Sequence, residues 1–95
     1  MSNKIQTISR KFEIQNMLGL HARAAAAFVK IANRFKAHIT VIKDSISVNG
    51  KSIMGVLMLA AAKGTSIIVA AEGEDAHEAL EALGKLINDK FGEEA

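Results

Sequence analysis

"AHITVIKDSISVNGK" (Ala37–Lys51) places β-branched residues, Ile39 and Val41 and then Ile46 and Val48, at alternate positions on either side of a polar "KDS". Two such runs around a short polar break read as antiparallel strands joined by a tight turn. Asn49-Gly50 ends the second strand. Upstream, "HARAAAAFVKIANRFK" (His21–Lys36) carries Ala24, Ala27, Phe28, Ile31 and Phe35 at helical spacing, with Arg23, Lys30 and Arg34 on a separate stripe. That helix starts directly after His21. Before it, "RKFEIQN" (Arg10–Asn16) alternates with Phe12 and Ile14 on one side, and "MLGL" breaks the strand.

Downstream of the hairpin, "SIMGVLMLAAAKG" (Ser52–Gly64) opens on a good N-cap and closes on a good C′ residue, which predicts a short helix containing Gly55. "TSIIVAAEG" predicts a fourth strand. "DAHEALEALGKLINDKF" (Asp75–Phe91) predicts a last helix, with Asp75 and Glu78 as a capping box and Ala76, Ala79, Leu80, Leu83, Ile87 and Phe91 on its apolar side. The order is β-α-β-β-α-β-α. Three amphipathic helices and hairpin-linked strands imply an α+β fold, with the helices stacked on one face of a four-stranded antiparallel sheet and the other face open to water.

The chain has 95 residues, enough for one modest core, and is read as a single domain over residues 1–95 with residues 1–9 as an N-terminal extension. No cysteine is present, which excludes disulfides and thiolate metal sites and suits a reducing compartment. The start, "MSNKIQTISRKF", has no apolar signal core, and no run is long enough to span a bilayer, so a cytoplasmic protein with no membrane insertion is expected. Twelve basic and ten acidic residues give a net charge of +2, too little to argue for nucleic acid. With no Tyr or Trp, base stacking would fall on four phenylalanines that the core needs. The charge is uneven: Lys30 to Lys51 holds five Lys or Arg against Asp44 alone, while acids gather after Ala71.

His21 stands at a helix start, where unpaired backbone N–H groups and the macrodipole favour an anion such as a phosphoryl group. The same positive end disfavours a protonated imidazole and leaves a ring nitrogen free to act as a nucleophile. Arg23 follows closely enough to share the anion's charge, with Ala22 and Ala24 supplying the amide cradle. From spacing alone, a solvated cap residue accounts for His21 as well. His38 and His77 have no metal-ligand spacing, and no metal or cofactor is expected. "SISVNGKS" lacks the glycine that a phosphate-binding loop needs where Ser45 stands.

"GLHARAAA" (Gly19–Ala26) and "KSIMGVLML" (Lys51–Leu59) resemble the two signature segments of the HPr family, histidine-containing phosphocarriers of the phosphoenolpyruvate-dependent sugar phosphotransferase system. The likeness runs from about Phe12 to Phe91. It implies an open-faced β-sandwich in which His21 accepts a phosphoryl group on Nδ1 from phosphorylated Enzyme I, assisted by Arg23, and passes it to sugar-specific IIA domains. The resemblance makes the chain a stoichiometric carrier and not a turnover enzyme. It further implies that Ser52 is the regulatory serine of an ATP-dependent HPr kinase/phosphorylase, a role that stands beside plain helix capping. Ile53, Met54 and Leu57 match the family's apolar docking patch, which the basic stripe with Lys30 could border. A transcriptional regulator is a further implied partner, and the chain is expected to be a monomer. Ala24 departs from the family's usual proline, adding an N–H and loosening the backbone beside His21. A nitrogen-branch or purely regulatory binding module is the alternative reading.

Overall fold

The computed structural model describes residues 7–95. Its elements are β1 (Thr7–Glu13), α1 (Ala22–Ala32), β2 (His38–Lys43), β3 (Ile46–Asn49), α2 (Ile53–Met58), β4 (Ser66–Glu72) and α3 (Ala76–Asn88), followed by a 3-10 turn at Lys90–Gly92. The order matches the one read from periodicity. The four strands form one antiparallel sheet in the order β1-β4-β2-β3. Of the proposed N-terminal extension, residues 7–9 belong to β1, and residues 1–6 lie outside the described residues.

Strand register sets which side chains face the helices. Phe12 lies opposite Ile67, Val41 opposite Val69 and Ile39 opposite Ala71, and all six are buried. Because side chains alternate across a strand, Ile68 between them points outward and is 38% exposed on the open face. The inner row meets Ala25 and Phe28 of α1, Val56 of α2 and Leu80, Leu83 and Ile87 of α3 in one hydrophobic cluster. Each large apolar side chain enclosed in this way contributes roughly 1.5–3 kcal/mol relative to exposure. Gly84 permits close contact between α3 and β1, since a Cβ there would come within 2.9 Å of the Phe12 ring.

Four elements have boundaries that differ from the pattern-based reading. β1 begins at Thr7 and ends at Glu13, three residues before Asn16; Ile14 leaves the strand but still bonds to the loop before β4, receiving the Gly64 N–H and donating to Thr65 O. α2 stops at Met58, not near Gly64. Tertiary bonds capture its continuation: Lys43 Nζ donates to Leu59 O, and Leu20 N–H donates to Ala61 O, so these carbonyls serve the neighbouring loop and strand. Phe35 falls beyond α1, and Phe91 beyond α3, although both stay against the core.

The capping box at Asp75 is not formed. Asp75 is the N-cap of α3, but its side chain makes no bond to that helix. Its two carboxylate oxygens instead accept the backbone N–H groups of Lys36 and Ala37, at 2.9 and 2.8 Å, stitching α3 to the turn before β2. Those bonds, led by that from Lys36, hold the Asp75 carboxyl below its usual range. Ser52, by contrast, caps α2 as the sequence predicts, accepting the Gly55 N–H at 3.1 Å.

Candidate functional site

His21 is the N-cap of α1, with extended backbone and no side-chain bond to its own helix. The first intrahelical bond runs from Ala25 N–H to His21 O at 2.8 Å, so the amides of Ala22, Arg23 and Ala24 form the open end of the helix. Ala24, where the family pattern has proline, is wholly buried, its methyl packed into the core. Arg23 is exposed and makes no ion pair among the described residues.

The chain turns into α1 at Gly19, whose φ of +67° is left-handed. There a Cβ would stand 2.4 Å from Ala61 O, the same carbonyl that receives the Leu20 N–H. Gly19 and Leu20, the two residues before His21, are therefore held against the segment after α2.

The sequence places no acid close to His21 in the chain, yet the fold delivers one. Lys90, Phe91 and Gly92 all adopt positive φ and turn the chain back after α3, with Phe91 buried as the pivot. Glu93 then reaches His21: its Oε2 lies 2.5 Å from His21 Nε2, while its Oε1 accepts from Asn16 Nδ2 at 2.9 Å. Asn16 is fully buried and gives its second amide hydrogen to Gly19 O at 2.8 Å. Met17 N–H donates to Ala95 O, which fastens the tail along the loop. The bonds from His21 and then Asn16 hold the Glu93 carboxyl below the usual glutamate range, overcoming the opposing effect of burial, and the charges of His21 and Arg23 act in the same direction. Nδ1 of His21 has no hydrogen-bond partner among the described residues.

A surface concavity lies over this end of α1, lined by Met17, Leu18, His21, Ala22, Arg23 and Glu93 among others. Met17 and Leu18 are 62% and 67% exposed, unusual for large apolar side chains. Sequence reasoning treated "MLGL" only as a strand breaker and the tail only as acidic charge, and so missed Met17, Leu18 and Glu93.

The other sequence-predicted residues lie further along. α2 packs on α1 in the opposite sense: Leu20, before α1, bonds to Ala61, after α2, and Asn33, after α1, reaches Lys51, before α2. Ser52 and Lys30 therefore lie toward the far end of α1 from His21. Lys30 is nine residues from His21, about 13 Å along a helix. Met54 and Met58 are 70% and 71% exposed and Ile53 is exposed, whereas Leu57 is only partly so, and Val56 and Leu59 belong to the core. His38 and His77 are exposed, and no group of three or more metal-ligating side chains occurs among the described residues.

A small helix-on-sheet domain that exposes a histidine at a helix start, with a free ring nitrogen, an arginine beside it and apolar side chains around it, is suited to carrying an anionic group between proteins. Residues 8–89 match the family model described as "PTS HPr component phosphorylation site". The chain is 52% identical over 86 residues to the phosphocarrier protein HPr of Neisseria meningitidis serogroup A, covering 90% of this chain and 97% of that one. An HPr crystal structure from Thermoanaerobacter tengcongensis superposes with a TM-score of 0.89 at 48% identity, covering 93% of this chain and 99% of that one. A second structure from the same organism, described as an HPr dimer, gives 0.74 at 50% identity, with 86% and 94% coverage. The chain belongs to the HPr family, the phosphocarriers of the phosphotransferase system, and its partners are of the phosphotransferase-system class.

Proposed function

We propose that His21 is the phosphoryl acceptor and donor of this carrier, through Nδ1, that Arg23 shares the charge of the phosphoryl group, and that the Ala22–Ala24 amides face it. The placement of His21 as the cap of α1, with Nδ1 unpartnered, carries this reading. In the reaction the Nδ1 lone pair forms the new P–N bond while the bond to the donor's nitrogen breaks, its electron pair staying with the donor. Three open amides and one guanidinium offset the negative charge as it arrives. Transfer onward reverses these steps.

The donor is Enzyme I and the acceptors are IIA domains, docking on Ile53, Met54 and Leu57 together with the exposed Met17, Leu18 and Met58, with Lys30 at the border. Exposed methionines adapt to several partner surfaces. Ser52 is a second, regulatory phosphorylation site for an HPr kinase/phosphorylase: its phosphate would stand beside Ile53 and Met54 and oppose docking by charge and desolvation. The protein works in the cytoplasm as a monomer; no helix among the described residues is long and apolar enough to cross a membrane.

Intact-mass analysis after incubation with phosphoenolpyruvate and Enzyme I tests the assignment. One acid-labile phosphoryl group is expected on the wild type and none on a folded His21→Ala variant. Full transfer by that variant would remove His21 from the reaction.

A further inference from the structure

From the Asn16–Glu93–His21 chain of hydrogen bonds, we infer that Glu93 is a positioning residue that selects the imidazole tautomer, keeping the proton on Nε2 and the lone pair on Nδ1. The inference rests on the phosphocarrier reading for its purpose, though not for its geometry.

Each group in the chain has its role set by the next. Gly19 O can only accept, so the side-chain amide of Asn16 must turn its nitrogen toward it. That nitrogen's second hydrogen goes to Glu93 Oε1. The arrangement leaves Asn16 Oδ1 buried with no partner, an unfavourable state. Flipping the amide would be worse, because it would set Oδ1 against both a carbonyl and a carboxylate oxygen. With Oε1 committed to Asn16, Oε2 faces His21 Nε2, and a carboxylate oxygen there requires the ring nitrogen to donate. In a neutral ring, a proton on Nε2 means a lone pair on Nδ1.

The consequence for transfer follows from the proton inventory. Phosphoryl transfer to Nδ1 uses that lone pair and releases no proton, so the ring becomes a cation that retains Nε2–H. Glu93 lies against this cation and offsets its charge. When the phosphoryl group leaves, the bonding pair returns to Nδ1 and the ring is again neutral with the proton on Nε2. Had the ring held its proton on Nδ1, acceptance would first require moving it. Orienting an imidazole through the nitrogen remote from the reacting one is a general means of readying it.

A substitution of equal size gives a sharp test. In Glu93→Gln the side chain has one oxygen and one NH2 where the carboxylate has two oxygens. The oxygen is required by Asn16, so the NH2 turns toward His21 Nε2 and makes that nitrogen accept. Glu93→Gln should therefore shift the neutral ring to the Nδ1–H tautomer, whereas Glu93→Ala should leave a mixture and Glu93→Asp should keep the wild-type form in part. The 15N shifts of the His21 ring in unphosphorylated protein report this directly, with the backbone amide spectrum confirming that each variant is folded. In phosphoryl acceptance from Enzyme I, Glu93→Gln should lower kcat about tenfold or more with KM within about twofold of wild type, and lower it further than Glu93→Ala does. A wild-type ring with its proton on Nδ1, an unchanged tautomer in Glu93→Gln, or a kcat for the Gln variant equal to that of wild type would overturn the inference. If the wild type accepts no phosphoryl group, the phosphocarrier assignment of His21 fails, while the tautomer measurement still decides the role of Glu93.

Discussion

Gly19→Ala tests whether the turn before His21 is held by backbone conformation alone or also by contact with the segment after α2. Gly19 and Gly64 both adopt left-handed φ, +67° and +88°. An added methyl at either position meets the same conformational penalty, about 1 kcal/mol. Their surroundings differ. At Gly64 a Cβ would have nothing within 4 Å, while at Gly19 it would lie 2.4 Å from Ala61 O and 3.0 Å from Ala62 Cα, both backbone atoms. Ala61 O must then retreat from the Leu20 N–H, now at 2.9 Å, and leaving that buried pair unmade adds about 2 kcal/mol. Gly64→Ala should thus destabilise by about 1 kcal/mol and Gly19→Ala by about 3 kcal/mol. In urea, with a slope of roughly 1 kcal/mol per molar for so small a domain, the midpoints should fall by about 1 M and 3 M at unchanged slope. Equal losses in the two variants would refute the idea that Ala61 holds the turn. So would a loss at Gly19 no greater than the conformational penalty.

Core truncation at Leu83, which is fully buried, should cost about 3 kcal/mol as Leu83→Ala, read from the same urea midpoints; a loss under 1 kcal/mol would mean the site collapses around the gap. Ser52→Ala should lose about 1 kcal/mol with its cap bond to Gly55, whereas Ser52→Asp should keep the cap and most of the stability while slowing acceptance from Enzyme I; an unchanged rate would leave Ser52 as a cap only. The tether of the tail should depend on pH. Glu93 faces His21, Asn16 and Arg23, and its carboxyl is held below the ordinary 4.5. Its stabilising contribution is therefore full above that value and lost as pH falls below it through the lowered folded-state value, so the amide signals of residues 92–95 should report release only in that acid window. Release beginning well above 4.5 would contradict the lowered value.

Much of the fold is legible in local pattern. The alternation in Ala37–Lys51, the helical stripes from Ala22 and Ala76 and the cap at Ser52 each express a period or a backbone requirement carried by neighbouring residues. The errors fall where a distant group competes for a bond. Asp75 and Glu78 spell a capping box, but the Lys36 and Ala37 amides claim the Asp75 carboxylate. α2 has apolar residues enough to run on, yet the carbonyls of Leu59 and Ala61 are taken by Lys43 and Leu20.

The candidate site divides the same way. Sequence by itself determined the element order, the position of His21 at a helix start and the neighbours Ala22, Arg23 and Ala24, because a histidine and the helix it caps are continuous in the chain. Only the tertiary structure decided that the acidic tail folds back to that histidine, that a buried Asn16 holds Glu93 in place, and that Met17 and Leu18 stand exposed beside it. Glu93 and His21 are 72 residues apart. No local period links them, and their meeting depends on the left-handed turn at Lys90–Gly92 and the burial of Phe91 that directs it.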